Sequence, residues 1–427
     1  MGCEIASFGG FPWPYGREVC RVGGGVRRGT GCDLQPGVRG QTRSSGAYSM
    51  RSLIRLLVLG VLTAFSGLSA AFAADPIRIG HLASITGAEA SFGISTDRGI
   101  AIAVEERNAA GGVLGRPIEV AVVDTQSKNQ EVNNCMTKLI QQDKVVAVVG
   151  EIASSNTIAA APAAQRYKVP LVTPGSTNPE VTKKGDYVFR VCFTDDYQGR
   201  VIARFAYKRL NAKNAAVVTD LAASYSINLS KIIKEEFEIL GGKVVSEVSY
   251  KKSDSDYNAQ VNQALQAKPD VLVLTGYYTN VGNIVKVARS AGFKGPIVGG
   301  DGWDSDTLYQ IGGKALDNTY FTNHYTPDDP NPKIQQFIKK YQSMHGTVPD
   351  AMAVLGYDAA GVVMEAIQRA GSAEGPKIRD ALAATKGFPG LSGSITIDEN
   401  RNARKGIVIV GIKDAKQFLK EAWKDEN

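Results

Sequence analysis

Histidine is scarce in this 427-residue chain. His81, His324 and His345 are its only three, too scattered to give the close spacing of a metal site. No Gly-x-Ser-x-Gly elbow is present, and no phosphate loop: Gly23 to Gly31 lacks both the Gly-Lys-Ser/Thr ending and a preceding strand. Gly87-Ala-Glu-Ala-Ser-Phe-Gly93 lacks the glycine spacing of a dinucleotide site. These absences argue against an enzyme, and no cofactor or metal is expected. A one-sided charge is missing as well. Residues 1–73 hold eight Arg against three acids, while the remainder carries 41 basic and 39 acidic residues. The net +7 therefore sits mostly at the N-terminus, and the rest has no basic block or aromatic-interleaved stripe for nucleic acid.

Long hydrophobic runs are also absent. Leu56 to Leu68 is the apolar core of a segment that opens with the basic Met50-Arg-Ser-Leu-Ile-Arg55 and closes with Ala71-Phe-Ala73. It is too short for a comfortable membrane span and has the three parts of a secretory signal peptide, with cleavage expected after Ala73. The Gly- and Arg-rich residues 1–49 stand before a signal that must be N-terminal. Translation from Met50 is the expected reading, with a disordered leader as the alternative. An exported, periplasmic product follows. Of five Cys only Cys135 and Cys192 outlast processing, and two buried free thiols are the default expectation over a disulfide.

From Asp75 onward, apolar strands alternate with amphipathic helices. Strands are expected at 77–85, 118–124, 145–150 and 170–173, with helices at 97–109, 129–141 and 155–167 between them. The pattern restarts with strands at 215–220, 244–250, 271–276 and 297–299, and helices at 198–210, 227–240, 259–267 and 281–291. Strands apolar throughout and separated by helices predict parallel sheets covered on both faces, here in two α/β lobes. Helices at 332–345, 351–370 and 377–385 follow, then an extended pair, 394–398 and 406–412. Polar joints near Asp195, Thr326-Pro327 and Asn400 are candidate interlobe crossings. They assign 75–195 plus 327–399 to one lobe and 196–326 plus 400–427 to the other, with a ligand cleft between.

The chemistry concentrates at strand ends. Val169 to Val172 empties into Thr173-Pro-Gly175-Ser176-Thr177, and Asn178-Pro179-Glu180 then starts a helix. Val145 to Gly150 empties likewise into Glu151-Ile-Ala-Ser154-Ser155. Neutral donors at a helix N-terminus suit a carboxylate without any Lys or Arg. Either site alone reads more simply as a cap; two at neighbouring strand ends favour a ligand. Gly299-Gly-Asp301-Gly-Trp303 offers an acid between glycines, suited to an ammonium group, with Trp303 to keep it dry. Tyr225 and Tyr277 also follow strand ends and could wall a small pocket.

The ordered motifs Ile85-Thr-Gly87…Phe92-Gly93, Ala153-Ser-Ser-Asn-Thr157, Thr173-Pro-Gly-Ser-Thr177, Gly276-Tyr277 and Gly299-Gly-Asp-Gly-Trp303 resemble those of the branched-chain (Leu/Ile/Val-type) amino-acid binding proteins of ABC transporters, across essentially all of 75–420. The resemblance implies the type I periplasmic binding protein fold, two Rossmann-like lobes joined by a three-crossing hinge. It implies that the hydroxyls of Ser154 and Thr177 and the backbone at Gly175 hold a ligand α-carboxylate and that Asp301, where well-known members have Glu, takes the α-ammonium. Phe92, Tyr225, Tyr277 and Met352 complete its implied pocket; Ser155 and Trp303 are candidate ligand contacts from the strand-end pattern alone. A monomer that delivers an amino acid to ABC permease subunits is the expected function. A sensory ligand-binding subunit, or a binding protein for amides, urea or aromatic acids, is the alternative.

Overall fold

A computed structural model describes residues 75–423; the leader and signal-peptide readings lie outside the described residues. Fifteen strands form three sheets. The first holds β1 (Ile77–Ala83), β2 (Ile118–Asp124), β3 (Ala147–Gly150), β4 (Leu171–Thr173) and β5 (Val188–Arg190), all parallel, in the order β2-β1-β3-β4-β5. The second runs β7 (Lys243–Tyr250), β6 (Asn214–Asp220), β8 (Val271–Thr275), β9 (Ile297–Gly299), β10 (Thr319–Asn323) in parallel. Both orders reverse at their first strand, which opens a crevice beyond the carboxyl ends of the strands, the place where open α/β sheets bind ligands.

Strand β11 (Phe388–Gly390) pairs with β12 (Gly393–Ile397), and β12 with β13 (Ala403–Arg404), as a small separate sheet. The expected pairing of 394–398 with 406–412 does not form. Asp398 to Asn402 closes a tight turn through Arg401 N–H to Asp398 O (2.9 Å) and Asp398 N–H to Asn402 O (2.8 Å), so 403–404 returns along β12. Only then does β14 (Ile407–Lys413) enter the second sheet, antiparallel to β10, where β15 (Lys416–Trp423) follows it as an edge strand that the sequence pattern did not reveal. The chain thus passes between the two large sheets after β5, after β10 and between β13 and β14, the last of these about five residues beyond the expected Asn400 joint.

The first helix begins at Ala90, seven residues ahead of the expected Asp97. Gly93 and the serines around it read as loop, yet glycine is required there: a Cβ on Gly93 would lie 2.0 Å from the Ser84 carbonyl. The same helix crosses helix Ala351–Ala370 at backbone contact. A Cβ on Gly99 would sit 1.9 Å from Ala353 O, and one on Gly356 would sit 2.5 Å from Thr96 O. Gly99→Leu must push the pair apart. We expect a loss of stability at the upper end of the about 1–3 kcal/mol typical of overpacking, read by urea denaturation. An unchanged midpoint would contradict this packing. Cys135 and Cys192 are free, buried thiols. Burial pushes the Cys192 thiol up to about 12, which leaves it inert.

Candidate functional site

The first-sheet wall of the crevice is built by two loops that brace each other. After β3, helix Ser154–Tyr167 starts with its first residue buried. After β4, residues 173–178 fold over it. Thr173 Oγ1 and Ser176 Oγ both donate to Glu151 O (2.5 and 3.0 Å), and Asn178 N–H donates to Ser154 Oγ (3.3 Å). Arg190, at the end of β5 and wholly buried, reaches beneath the second loop and donates to Ser176 O (2.6 Å) and Asn178 O (2.7 Å). The two hydroxyls of Thr173 and Ser176 are therefore spent on the loop itself. Thr177 Oγ1 is buried and faces the Asp195 carboxyl. Gly175 lets the backbone approach Met352: a Cβ there would meet its Sδ at 3.2 Å.

The second-sheet wall centres on Asp301, just past β9 and buried. Its Oδ1 accepts from Gln198 Nε2 (3.1 Å) and its Oδ2 lies 3.0 Å from His324 Nε2. The flanking glycines have a stated cause. A Cβ on Gly299 would strike the Trp303 ring at 2.3 Å, and one on Gly300 would strike Tyr225 Oη at 2.4 Å. Tyr225 accepts from Gly302 N–H (3.1 Å) and stacks on Tyr277, ring centroids 5.4 Å apart at 15°. Phe92 from the other lobe meets Tyr277 edge-on at 6.0 Å.

A cavity of only about 10 Å³ remains where these walls face each other. Of the residues expected at the site, Phe92, Ser154, Gly175, Tyr225, Tyr277, Asp301 and Met352 all line it. Ile152 and Gly302 join them, and neither was singled out in the sequence. Three expected residues are not on its wall. Thr177 is wholly buried, and its carbonyl accepts from Asp195 N–H (2.9 Å). Trp303 is wholly buried, packed under Gly299 and beside Phe321 (5.9 Å), so it is part of the lobe's floor. Ser155 points across the crevice mouth, where its Oγ hydrogen-bonds Ser224 Oγ (3.0 Å) and accepts from Ser224 N–H (3.1 Å).

Ser155 is one of several ties that hold the two walls together. Asn178 Nδ2 donates to Ser224 O (2.8 Å), Ser91 Oγ meets Ser305 Oγ (2.8 Å), and Tyr278 Oη donates to Ala88 O (2.9 Å). Lys252 pairs with the nearly buried Glu89. The cleft is closed, tied by these bonds and by Phe92 set edge-on against Tyr277 and Tyr278.

Burial dominates the electrostatics. It pushes Asp195 up to about 7, with the nearby Asp301 carboxyl adding to the rise. Burial likewise pushes Asp350 up to about 7, and holds His324 down at about 4, so that this ring is neutral. An acid whose folded-state pKa lies above the ordinary carboxylate value, about 3.9, is protonated more readily folded than unfolded. Its contribution is fully present below that value and lost as pH rises through about 7. The melting temperature of the unliganded protein is therefore expected to fall between pH 4 and 7, and Asp195→Asn is expected to flatten part of that fall. An unaltered slope would contradict the assignment to Asp195. Among the described residues no group of three or more His, Cys, Asp or Glu could hold a metal ion, and no helix is long and apolar enough to cross a membrane.

Comparison with known proteins agrees on the family but not on one ligand: a solute binding protein from Rhodopseudomonas palustris BisB5, in complex with 3,4-dihydroxy benzoic acid, superposes with a TM-score of 0.75 at 26% identity, covering 82% of this chain and 98% of that one. The family model described as periplasmic binding protein matches residues 76–417. A leucine-, isoleucine-, valine-, threonine- and alanine-binding protein of Pseudomonas aeruginosa is 28% identical over 348 residues, covering 81% of this chain and 92% of that protein. Among solved structures, a leucine binding protein, LivK, from Thermotoga maritima superposes with a TM-score of 0.79 at 40% identity, covering 82% of this chain and 99% of that one. The branched-chain amino acid transporter substrate binding protein LivJ from Streptococcus pneumoniae, in complex with isoleucine, gives 0.77 at 32% identity, with the same coverage.

Proposed function

This chain belongs to the periplasmic binding protein family, and we propose that it captures a small aliphatic amino acid, branched-chain by preference, for an ABC transporter. The observation that carries the reading is the polarity of the cavity. One wall offers a helix N-terminus and neutral donors, the other a buried carboxylate, and the space between is apolar. An α-amino acid has the complementary polarity. Its carboxylate takes the backbone at Gly175 and the Ser154 hydroxyl, assisted by the helix dipole. Its ammonium takes Asp301, and the stacked Tyr225 and Tyr277 wall the backbone atoms. Phe92, Ile152 and Met352 offer the side chain an apolar surface, which suits an aliphatic residue.

Binding, not catalysis, is the activity. Ser155–Ser224 and the other ties across the mouth hold the closed form, which hands its ligand to the permease. The protein works in the periplasm, exported by the segment 50–73 and cleaved after Ala73. An aromatic or aliphatic acid without an amine is disfavoured, because Asp301 would then be left facing a dry cavity without a cation.

A thermal-shift screen of the chain from Ala74 tests this. A branched-chain amino acid at a hundred times its dissociation constant is expected to stabilise the protein by about 2.7 kcal/mol. A shift with benzoates, amides or urea and none with amino acids would overturn the ligand class. N-terminal sequencing of the exported protein is expected to read Ala74-Asp75-Pro76.

A further inference from the structure

The groups that surround Asp301 from behind come from the hinge. Gln198 lies one turn into helix Asp195–Arg204, immediately after the first crossing, and its side chain is wholly buried. All its amide valences are used. Nε2 donates to Asp195 Oδ1 (2.8 Å) and to Asp301 Oδ1 (3.1 Å), while Oε1 accepts from Thr322 Oγ1 (2.8 Å) and Asp301 N–H (3.4 Å). Because Thr322 and the Asp301 backbone both donate to Oε1, the amide cannot flip, and its NH₂ must face the two acids. His324 sits at the second crossing, one residue past β10. Its ring stacks on Phe193 of the first crossing, centroids 3.8 Å apart at 16°. Its Nδ1 is buried and unpartnered, so the single ring proton of the neutral imidazole belongs on Nε2, facing Asp301 Oδ2.

The first crossing also reaches the opposite wall. Asp195 N–H donates to Thr177 O (2.9 Å), so one continuous run, Thr177–Asp195–Gln198–Asp301, links the carboxylate loop to the ammonium anchor through the hinge.

The geometry points to Gln198 and His324 as positioning residues for ligand-nitrogen recognition: held by the first and second hinge crossings, they aim the Asp301 carboxylate at the ligand's ammonium. This rests on the proposed amino-acid reading. Neither residue lines the cavity, and neither touches the ligand; both act through Asp301. Two N–H donors fix the carboxyl plane from behind and leave its remaining lone pairs for the cation. They also supply no charge of their own, so the anchor is not neutralised by a Lys or Arg that would compete with the ligand. Gln and neutral His are suited to this where Arg is not.

The test compares leucine with its deaminated analogue, 4-methylpentanoate, by calorimetry on the exported chain and its variants. Gln198→Leu and His324→Phe are expected to lower the preference for leucine over the deaminated acid by about tenfold each, the size of one lost charge-assisted hydrogen bond. A purely structural role would weaken both ligands in the same ratio. Gln198→Glu guards against a variant that fails to fold. It is isosteric and adds an acid facing Asp195, Asp301, His324 and Tyr225; the arriving ammonium favours that acid's ionised form, so leucine binding by this variant should release a proton and weaken from pH 8 to pH 5 more steeply than in the parent chain. If the preference for leucine is unchanged in Gln198→Leu and His324→Phe, or the pH slope of Gln198→Glu matches the parent, the inference fails. If the parent itself binds no amino acid, the functional reading fails instead.

Discussion

Asp301→Ala is expected to abolish measurable amino-acid binding. Removing one partner of a desolvated, hydrogen-bonded charge pair costs about 2–5 kcal/mol, or about 30- to 5,000-fold in affinity. The variant also strips Gln198 Nε2 and His324 Nε2 of an acceptor, so some loss could come from a disturbed wall. Asp301→Asn separates the two effects. It keeps an acceptor for one of the donors and occupies the same volume, but carries no charge. The expected result is that Asn loses most of what Ala loses, measured by calorimetry, with a thermal midpoint close to that of the parent. If Asp301→Asn binds leucine within twofold of the parent, the ammonium assignment is wrong.

Arg190→Met is expected to have the second-largest effect, on stability and on binding together. Arg190 is wholly buried and forms no ion pair in the described structure. Its guanidinium spans the carbonyls of Ser176 and Asn178 as a rigid fork. Methionine fills much the same volume but removes both charge-assisted bonds, about 1.5–3 kcal/mol each, and leaves Asn178 O with Val181 N–H alone (3.1 Å) and Ser176 O with the weak Cys192 thiol alone (3.5 Å). The loop they belong to carries Gly175 and Thr177, so the carboxylate wall should slacken. Arg190→Lys is expected to rescue little, because a single ammonium cannot span both acceptors in the planar geometry of the fork. Urea midpoints give the stability change, and leucine titration of the folded fraction gives the binding change. A stable Arg190→Met with parental affinity would contradict the bracing role.

The strand-end chemistry was legible in the sequence because it depends on local patterns. An apolar run, a stop, hydroxyls and a helix start lie within a dozen residues at 145–157 and again at 169–180, and Asp301 is marked by its own glycines. Alternation of strand and helix gave both parallel sheets for the same reason. What was not legible depends on residues far apart in the chain. Gln198 and His324 lie about a hundred and about twenty residues from Asp301, and a lone Gln or His carries no sign of its partner. Ser155 and Trp303 were misplaced by proximity. Each adjoins a site residue, but the helix turns Ser155 toward the opposite lobe, and the bare faces of Gly299 and Gly300 let Trp303 fold beneath the loop while Tyr225 packs over it. The tail was misread because the turn at 398–402 brings the chain back to β12 before it crosses, and nothing in the polar composition of 399–402 distinguishes a turn from a crossing.

In the proposed binding mode the cavity reads both ends of an α-amino acid, a carboxylate on one wall and an ammonium on the other. Calorimetric titration of the parent chain with leucine, 4-methylpentanoate and 3-methylbutylamine measures this directly. The account predicts that leucine binds and that each one-ended analogue is weaker by at least about 30-fold, the lower bound for an unpaired desolvated charge. Equal binding of 4-methylpentanoate would contradict it, because Asp301 would then have no cation to meet.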